Sequence, residues 1–309
     1  MRTNRFVFFN PDARPEIDEG FTGCSSNGFS TMTQCVPPIE KGFAIWEHEL
    51  PGEVFSGTYQ SVLHRLSLLS FSPETGIVLY KRAAGFEDFL GRLVNLYPNT
   101  PFIGGGAAFS GDMQEGRLLP DAEDVCVLAV SAKNYRVEKL NLFDDLHEWL
   151  EIEPASNRSF SKIRELPDGK WQNAVSYFRE KQAEWGIDRT NFENLCFCDR
   201  NRRNLHCRVA DGNIFAGANL PEDRLLFLNY VSSEKATERL SHFLNDTDSL
   251  IFGCAGIRSI VHEPFYTGKG SLAGFMFGEV VTCGEQAELG NLMLTKLKIP
   301  APSSAAGRQ

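Results

Sequence analysis

The sequence has no long apolar run. None of its 309 residues lies in an uninterrupted stretch of 18 or more apolar residues, which excludes a membrane-spanning helix. Residues 6–9 are apolar, but Asn10 and Pro11 end that stretch at once. A signal peptide needs a longer apolar segment and a small-residue cleavage site. The start is therefore predicted to be a first β-strand, and the protein is predicted to be cytoplasmic, with no membrane partner.

The sequence also lacks an excess of positive charge. It carries 31 Lys and Arg against 40 Asp and Glu, which gives a net charge of −9 and a pI of about 5.3. Nucleic-acid-binding proteins usually display a basic stripe, and a negative overall field repels phosphate backbones. The basic cluster at 200–203 lies in a predicted hairpin tip, where a solvated turn explains it. No nucleic-acid partner is predicted.

Nucleotide-binding fingerprints are missing as well. The glycines Gly104, Gly105 and Gly106 follow a short apolar segment, but the spacing G-x-G-x-x-G before a helix is not met. Lys269 is followed by a glycine rather than by Ser or Thr, so the P-loop pattern fails too. Glycines at such a strand end are predicted to form a turn. That turn either packs tightly or exposes N–H groups that hold an anion or a carboxylate.

The cysteines do not indicate a disulfide-bonded, secreted protein either. The eight cysteines belong to a large chain and several lie inside apolar runs, which predicts buried free thiols. Cys196, Cys198, His206 and Cys207 resemble a zinc-ligand set, but the alternation of a strand lets at most three of them converge. A cysteine-rich hairpin is the favoured interpretation. No metal ion and no cofactor is predicted.

The chain has enough apolar residues for two cores. About 42% of the residues are apolar, and the length fits two domains. Helical spacing appears at 86–97, at 171–178 and from Ser232 or Ser233 to residue 244. Strand patterns occur at 42–46, 53–59, 76–80, 124–131, 194–198, 205–209, 225–230, 249–254, 272–281 and 291–299. This mixed order predicts an α/β fold, with α+β as the alternative, in two mixed-sheet sandwich domains with helices packed on the sheets.

The region 144–170 has the weakest pattern, because it is acidic and then loop-like. A domain boundary is therefore predicted near residue 150, which divides the chain into domains 1–150 and 151–299. The last residues, 300–309, are small and rich in proline and are predicted to be disordered.

The strand 272–281 carries the most informative charge. Glu279 is flanked by apolar residues, so in a central strand its carboxylate must be paired or used. Arg258, after the preceding strand, is the expected partner. The two side chains form either a structural ion pair or, together with Asn291, a site that binds the polar group of a ligand through charge-assisted hydrogen bonds. Gly278 in a strand interior predicts a bulge or a close approach by another group.

Cys254 raises a second possibility. It ends an apolar strand at a glycine turn, with Arg258 four residues later and His262 beyond it. A nearby cation lowers a thiol pKa and a histidine can act as a base, which describes a thiol-dependent enzyme. No known nucleophile motif surrounds Cys254, however, so catalysis is not the first choice and no catalytic residue is assigned.

Three segments in the last part of the chain resemble the C-terminal module of FIST-domain proteins (F-box and intracellular signal transduction). Residues 252–258 resemble the strand that ends in a Cys-x-Gly-Arg turn, with Ile257 as an additional residue. Residues 274–279 match the Gly-Phe-x-x-x-Gly-Glu strand, and 290–295 resemble the terminal strand, with glycine where the family usually has histidine. Residues 22–28 and 102–107 resemble the two glycine turns of the N-terminal module, which is expected to be shortened at its start.

This resemblance implies a cytoplasmic sensory domain for signal transduction that binds a small ligand, such as an amino acid or a related metabolite. The output is expected to pass to a signalling partner protein. The alternatives are the thiol-dependent enzyme and an interaction scaffold without a ligand. The candidate ligand-binding residues are Cys254, Arg258, Phe275, Gly278, Glu279, Asn291, Gly104 and Gly105.

Overall fold

The structure is a computed structural model. It describes residues 2–12, 15–16, 20–26, 28–36, 42–81, 84–108, 116–131, 135–186, 195–200, 204–205, 207–216, 219–261, 264–283, 286–290 and 292–299. The tail 300–309 and Asn291 lie outside these residues, so the predictions made for them are not addressed by the structure.

Strands dominate the described residues, and short helices lie between them. The strands are β1 (Arg2–Phe9), β2 (Phe21–Ser25), β3 (Phe29–Ser30), β4 (Cys35–Val36), β5 (Phe43–Gly57), β6 (Thr75–Tyr80), β7 (Phe102–Gly106), β8 (Leu118–Leu119), β9 (Val125–Val130), β10 (Arg136–Asn141), β11 (Asp144–Ser156), β12 (Ser159–Glu165), β13 (Gln172–Asn173), β14 (Leu195–Cys198), β15 (Asn204–Leu205), β16 (Cys207–Ala210), β17 (Asn213–Ala216), β18 (Leu225–Tyr230), β19 (Ser249–Cys254), β20 (Leu272–Cys283), β21 (Gln286–Gly290) and β22 (Met293–Lys298). The helices are α1 (Tyr59–Leu66), α2 (Phe86–Leu96), α3 (Ala174–Glu184), α4 (Ser233–Leu244) and the single turn α5 (Ile257–Ile260).

The three helices predicted from spacing are confirmed. In α4 the hydroxyl of Ser232 accepts a hydrogen bond from the Lys235 N–H at 3.2 Å, so Ser232 is the N-cap. In α3 the corresponding acceptor is Asn173, and the helix begins three residues after Trp171. The sequence patterns missed α1, a short helix capped by Thr58.

The fold is α/β, as predicted. Fourteen strands form a mixed sheet, here called the large sheet, in the order β10-β22-β19-β20-β7-β6-β9-β5-β1-β2-β8, with β3, β4 and β21 attached at its side. Its parallel pairs are β1–β2, β6–β7 and β19–β20. The other eight strands form an antiparallel small sheet, β15-β14-β18-β11-β12-β17-β16 with β13 attached.

The large sheet folds back on itself around an inner core. The rings of Phe6 and Phe8 on β1 lie 5.5 and 5.6 Å from the ring of Phe252 on β19, although five strands separate β1 from β19 in the sheet order. The Trp46 Nε1–H on β5 donates to the Gly270 carbonyl at 2.9 Å and joins the same two parts of the sheet. Burying these rings removes apolar area from water, which is the main stabilising contribution of such a core.

Helices cover the outer faces of the sheets. Helices α1 and α2 pack on β6, β7 and β9 through a cluster that includes Leu63, Phe89 and Val127. Helices α4 and α5 pack on β19, β20 and β22 through a second cluster, here called the outer core, that includes Leu240 and Phe275. Helix α3 covers the small sheet.

The sheets divide the chain differently from the predicted boundary at residue 150. Strand β11 runs through residue 150 from Asp144 to Ser156, and it forms a hairpin with β12 where a loop-like boundary was predicted. The small sheet takes all its strands from residues 144–230, whereas residues 249–298 pair with the first part of the chain in the large sheet. Long-range strand pairing of this kind leaves no local trace in a sequence, and the division into two domains stays a prediction.

Candidate functional site

Three chain segments meet the middle of β20. The Ala255 N–H, just after β19, donates to the Met276 carbonyl at 2.8 Å. The Gly28 carbonyl, after β2, accepts from the Phe275 N–H at 3.1 Å. Strand β7 pairs with β20 from Phe277 onward. The glycine-rich segments that the sequence analysis singled out therefore converge on residues 275–279.

The triple glycine does not form the predicted turn. Gly104 and Gly105 lie inside β7, which pairs with β6 on one side and with β20 on the other. Gly104 has a φ of 144°, and a Cβ placed on it would lie 2.0 Å from the Val78 carbonyl oxygen. Close approach of two strands explains this glycine. The backbone groups of β7 take part in strand pairing, so the expectation of an anion-binding turn at Gly104 and Gly105 is wrong.

Gly278 forms a β-bulge, as its position in a strand predicted. Phe277 pairs with Gly106 and Glu279 pairs with Gly105, so Gly278 is an additional residue without an opposite partner. Its φ of 65° lies in the left-handed region that favours glycine.

The bulge changes the face on which the later side chains lie. Before it, Phe275 packs in the outer core and Met276 in the inner core. After it, Val281 packs in the inner core. Glu279 lies opposite Gly105, and a Cβ on Gly105 would be 3.5 Å from the Met276 Cβ. Glu279 therefore points to the inner face, whereas Phe275, an even number of residues earlier, points to the outer face.

Arg258 lies on the other side of β20. Its guanidinium carbon is 4.9 Å from the centre of the Phe275 ring and 5.5 Å from that of Phe265. Its Nη2 donates to the Val36 carbonyl at 3.2 Å, and its buried Nε has no hydrogen-bond partner among the described residues. Partial burial lowers the pKa of Arg258, with the Cys35 thiol opposing that shift.

No ion pair joins Arg258 and Glu279 in the described part of the chain. The predicted pair is wrong because strict alternation would place residues 275 and 279 on one face, and the bulge at Gly278 breaks that alternation. Arg258 instead lies over the ring of Phe275, which is a member of the outer core.

The Glu279 side chain is fully buried without a conventional partner. Its exposed fraction is 0%, and neither carboxylate oxygen has a hydrogen-bond partner of normal geometry among the described residues. Burial raises the pKa of this carboxyl well above its usual value, and contacts from its own backbone N–H and from the Cys254 thiol offset only part of that effect. A thiol is a weak donor, so the carboxyl group remains poorly satisfied.

Cys254 lies at the end of β19, opposite Met276. Burial raises the pKa of its thiol well above 9.0, and the neighbouring Glu279 carboxylate raises it further. Backbone groups of Leu292 and Gly256 oppose this shift through hydrogen bonds. Because Leu292 reaches Cys254 and Gly290 pairs with Glu279, the chain on both sides of position 291 borders the same site.

Tyr80 belongs to this site and was missed by the sequence analysis. Its hydroxyl lies 3.1 Å from the carbonyl oxygens of both Phe277 and Gly278, so it holds the two peptide groups of the bulge. Burial raises its pKa, and the Glu279 carboxylate is the second cause. The available signal was a lone hydroxyl at the end of the apolar strand 75–80, which needs a partner when buried.

We refer to Glu279, Cys254 and Tyr80, with Gly105 and the Gly278 bulge, as the Glu279 site. The site borders the protein surface in sequence, since the two residues before Glu279 are not buried: Gly278 is partly exposed and Phe277 is 40% exposed. Two surface grooves lie elsewhere. One of about 370 Å³ runs between α1 and α2 near His64 and Arg92, and one of about 510 Å³ lies at the β11–β12 turn.

Other expectations concern cysteines, metals and membranes. Seven cysteines are free thiols, and all but Cys35 are buried, which confirms the prediction for the residues described. His206 of the zinc-like set lies outside the described residues, and within them no three His, Cys, Asp or Glu side chains are grouped to hold a metal ion. No helix in the described ranges has the length and apolar character to cross a bilayer.

No family model matches the chain, and no curated protein matches it either. The resemblance to FIST-domain proteins therefore stays a prediction that rests on the segments given above.

Proposed function

We propose that the protein binds a small ligand at the Glu279 site and acts as a sensory module. The observation that carries this proposal is the Glu279 carboxyl group, which is 0% exposed and has no conventional hydrogen-bond partner among the described residues. An unsatisfied buried polar group costs free energy, about 1–3 kcal/mol even when neutral. A ligand that supplies the missing hydrogen-bond partner of Glu279 would remove this free-energy cost, and that explains why the carboxyl group is buried where three chain segments meet.

The surroundings of Glu279 support the same proposal. The carboxyl group stands beside a backbone irregularity held by Tyr80, and strained or irregular backbone is frequent next to binding sites. The site also joins chain segments from both ends of the sequence, so occupation of the site affects their packing together. A binding event there is suited to pass a signal to a partner protein, whose identity the resemblance leaves open.

The thiol-dependent alternative receives less support. The Cys254 thiol is buried and next to a carboxylate, and both effects raise its pKa and oppose the thiolate. A reactive cysteine needs the opposite environment. The reactivity of the thiols tests this: alkylation followed by mass spectrometry is expected to label the partly exposed Cys35 long before Cys254. Rapid labelling of Cys254 in the folded protein would support catalysis instead.

The sensory role and a cytoplasmic location are parts of the proposal that come from the sequence. A cytoplasmic location agrees with the free thiols of the described cysteines. The interaction scaffold without a ligand receives less support, because it leaves the buried Glu279 carboxyl group without a conventional partner.

The binding proposal is tested by thermal-shift screening of the wild-type protein against small metabolites of positive, zero and negative charge. A compound present at 100 times its dissociation constant stabilises the folded state by about 2.7 kcal/mol. That stabilisation is expected to be lost in Glu279→Gln, which keeps the shape of the side chain and removes its ability to ionise.

The matched control is Lys296→Met, which removes a different buried charge from the same sheet. It is expected to lower stability but to retain the shift caused by the ligand. Two results contradict the proposal: no compound stabilises the wild type, or Glu279→Gln responds as strongly as the wild type.

A further inference from the structure

The Glu279 site is rich in acceptors and poor in donors. The carboxyl group of Glu279 offers two oxygens without a conventional partner, whereas the Cys254 sulfur already accepts from backbone groups of Leu292 and Gly256. The single proton of Tyr80 is directed at the carbonyl oxygens of the bulge, which leaves its oxygen as an acceptor. A ligand that satisfies such a set must bring several N–H or O–H donors on one atom or on neighbouring atoms.

The charges around Glu279 restrict the ligand further. The titratable groups that act on it and its neighbours are Cys254 on β19 and Tyr80 on β6, with Tyr59 and Glu87 also acting on Tyr80. All of these are neutral or negative. The nearest candidate cation of the sequence analysis, Arg258, lies on the outer face and is held by Phe275 and the Val36 carbonyl. Within the described residues, the inner face offers Glu279 no positive charge.

We propose, on the basis of the binding function above, that the ligand approaches Glu279 with a protonated amine, and that this ammonium group replaces the proton of the Glu279 carboxyl group. The O–H bond of the carboxyl group breaks, its proton passes to the buffer, and the carboxylate forms an ion pair with the R–NH₃⁺ group. No redox step occurs. The net charge of the site is the same before and after binding, which avoids leaving an isolated charge in the interior.

Burial supports this exchange, because it favours the protonated form of the empty Glu279 carboxyl group and raises its pKa well above the usual value. The arriving ammonium supplies the charge partner that makes the ionised form favourable, and charge-assisted hydrogen bonds are the strongest of those available. A ligand carboxylate would add a second negative group next to Glu279. A neutral alcohol can take one hydrogen bond from the protonated acid but supplies no charge partner for the ionised carboxylate.

The consequence is a pH dependence with a known sign. Each bound amine releases one proton, so the affinity rises about tenfold per pH unit. This rise continues as long as the empty carboxyl group is protonated and the amine is charged.

The experiment uses the full chain and matched probes of one size: propylamine, ethanolamine, propanol and propionate. Titration calorimetry in two buffers of different ionisation enthalpy counts the protons released. The amines are expected to bind, to release about one proton each, and to bind about tenfold more tightly per pH unit over the range in which the empty carboxyl group is protonated. Glu279→Gln is expected to abolish both the proton release and the pH dependence.

The wild-type slope with pH needs no variant, so it tests the inference even when Glu279→Gln folds poorly. Binding of propionate or propanol but not of the amines overturns the ammonium assignment and leaves the binding function intact. Amine binding without proton release overturns the exchange. If neither these probes nor the metabolites of the screen bind, the proposed function itself fails, and the inference fails with it.

Discussion

Two buried ionisable side chains lie in the same sheet, Lys296 on β22 and Glu279 on β20, with β19 between them. The ammonium of Lys296 is 2.8 Å from a Glu138 oxygen, forms a close ion pair with Asp246, and lies 4.1 Å from the centre of the Phe243 ring. The Glu279 carboxyl group has only weak partners among the described residues, its own backbone N–H and the Cys254 thiol. A buried charge with a full set of partners fixes the packing of α4 on the sheet, whereas one without partners leaves a place for something else.

The pKa shifts express the same contrast. Burial alone would raise the pKa of Asp246, but hydrogen bonds from Lys296 and Lys298 outweigh it and lower the pKa. For Glu279 burial is not outweighed, and the pKa is raised. The stability that Asp246 contributes is present above its unfolded pKa and is lost in acid. Glu279 behaves in the opposite way: its contribution is present in acid and is lost as the pH rises through its folded pKa.

Removal of the satisfied charge is expected to have the largest effect. Lys296→Met leaves Asp246 and Glu138 beside an apolar site, and breaking a buried pair costs about 3 kcal/mol. Urea unfolding measures the loss. The control is Lys298→Met, because Lys298 binds the same Asp246 at 3.2 Å but is 34% exposed, and such pairs are worth less than about 1 kcal/mol. Equal losses in the two variants would contradict the structural role of Lys296.

Substitution of Glu279 is expected to change the pH dependence of stability. In the wild type the folded state holds a proton that the unfolded state releases, so stability falls by about 1.4 kcal/mol per pH unit between the unfolded and the folded pKa of this carboxyl group. Glu279→Gln removes this slope and leaves a constant difference. Urea unfolding of both proteins at several pH values from about 5 to about 8 measures it. Parallel curves would show that the carboxyl group is not held protonated by burial.

Loss of the Tyr80 hydroxyl is expected to have a moderate effect. Tyr80→Phe keeps the ring that stacks on Phe86 at 3.8 Å and removes the hydrogen bond to the bulge carbonyls. The cost is about 1 kcal/mol, because one hydrogen bond is lost and two acceptors lose their donor. Thermal unfolding gives the stability, and ligand binding is expected to weaken as well. Tyr97→Phe is the control, because the Tyr97 hydroxyl donates to the Leu66 carbonyl rather than to the bulge; weakened binding in this variant too would speak against a specific role of Tyr80.

The smallest expected effect concerns Arg258. The substitution Arg258→Lys keeps the charge but weakens the stacking on Phe275, at a cost of about 0.5–1 kcal/mol. Ligand binding is expected to change less than about twofold, since Arg258 and Glu279 lie on opposite faces of β20. Calorimetry with a ligand found by the screen measures this. A tenfold loss of affinity would show that Arg258 takes part in ligand binding.

Local patterns predicted much of the architecture. The stripe at 86–97, the capped segment from Ser232 and the strands at 249–254 and 272–281 were found because each depends on neighbours in sequence. The short helix α1 was missed, and 42–59 was read as two strands where β5 is one. The joining of residues 249–298 to the first part of the chain was not predicted, because strand pairing between distant segments has no local signature.

The candidate site shows the same division. The sequence alone determined that Glu279 is a charge inside an apolar strand, that Gly278 interrupts that strand, and that Cys254 ends the strand before it. Only the tertiary structure decided which face Glu279 takes. One additional residue in a strand exchanges the faces of all later side chains, so the bulge at Gly278 separates Glu279 from Arg258 and places it with Cys254 and Tyr80.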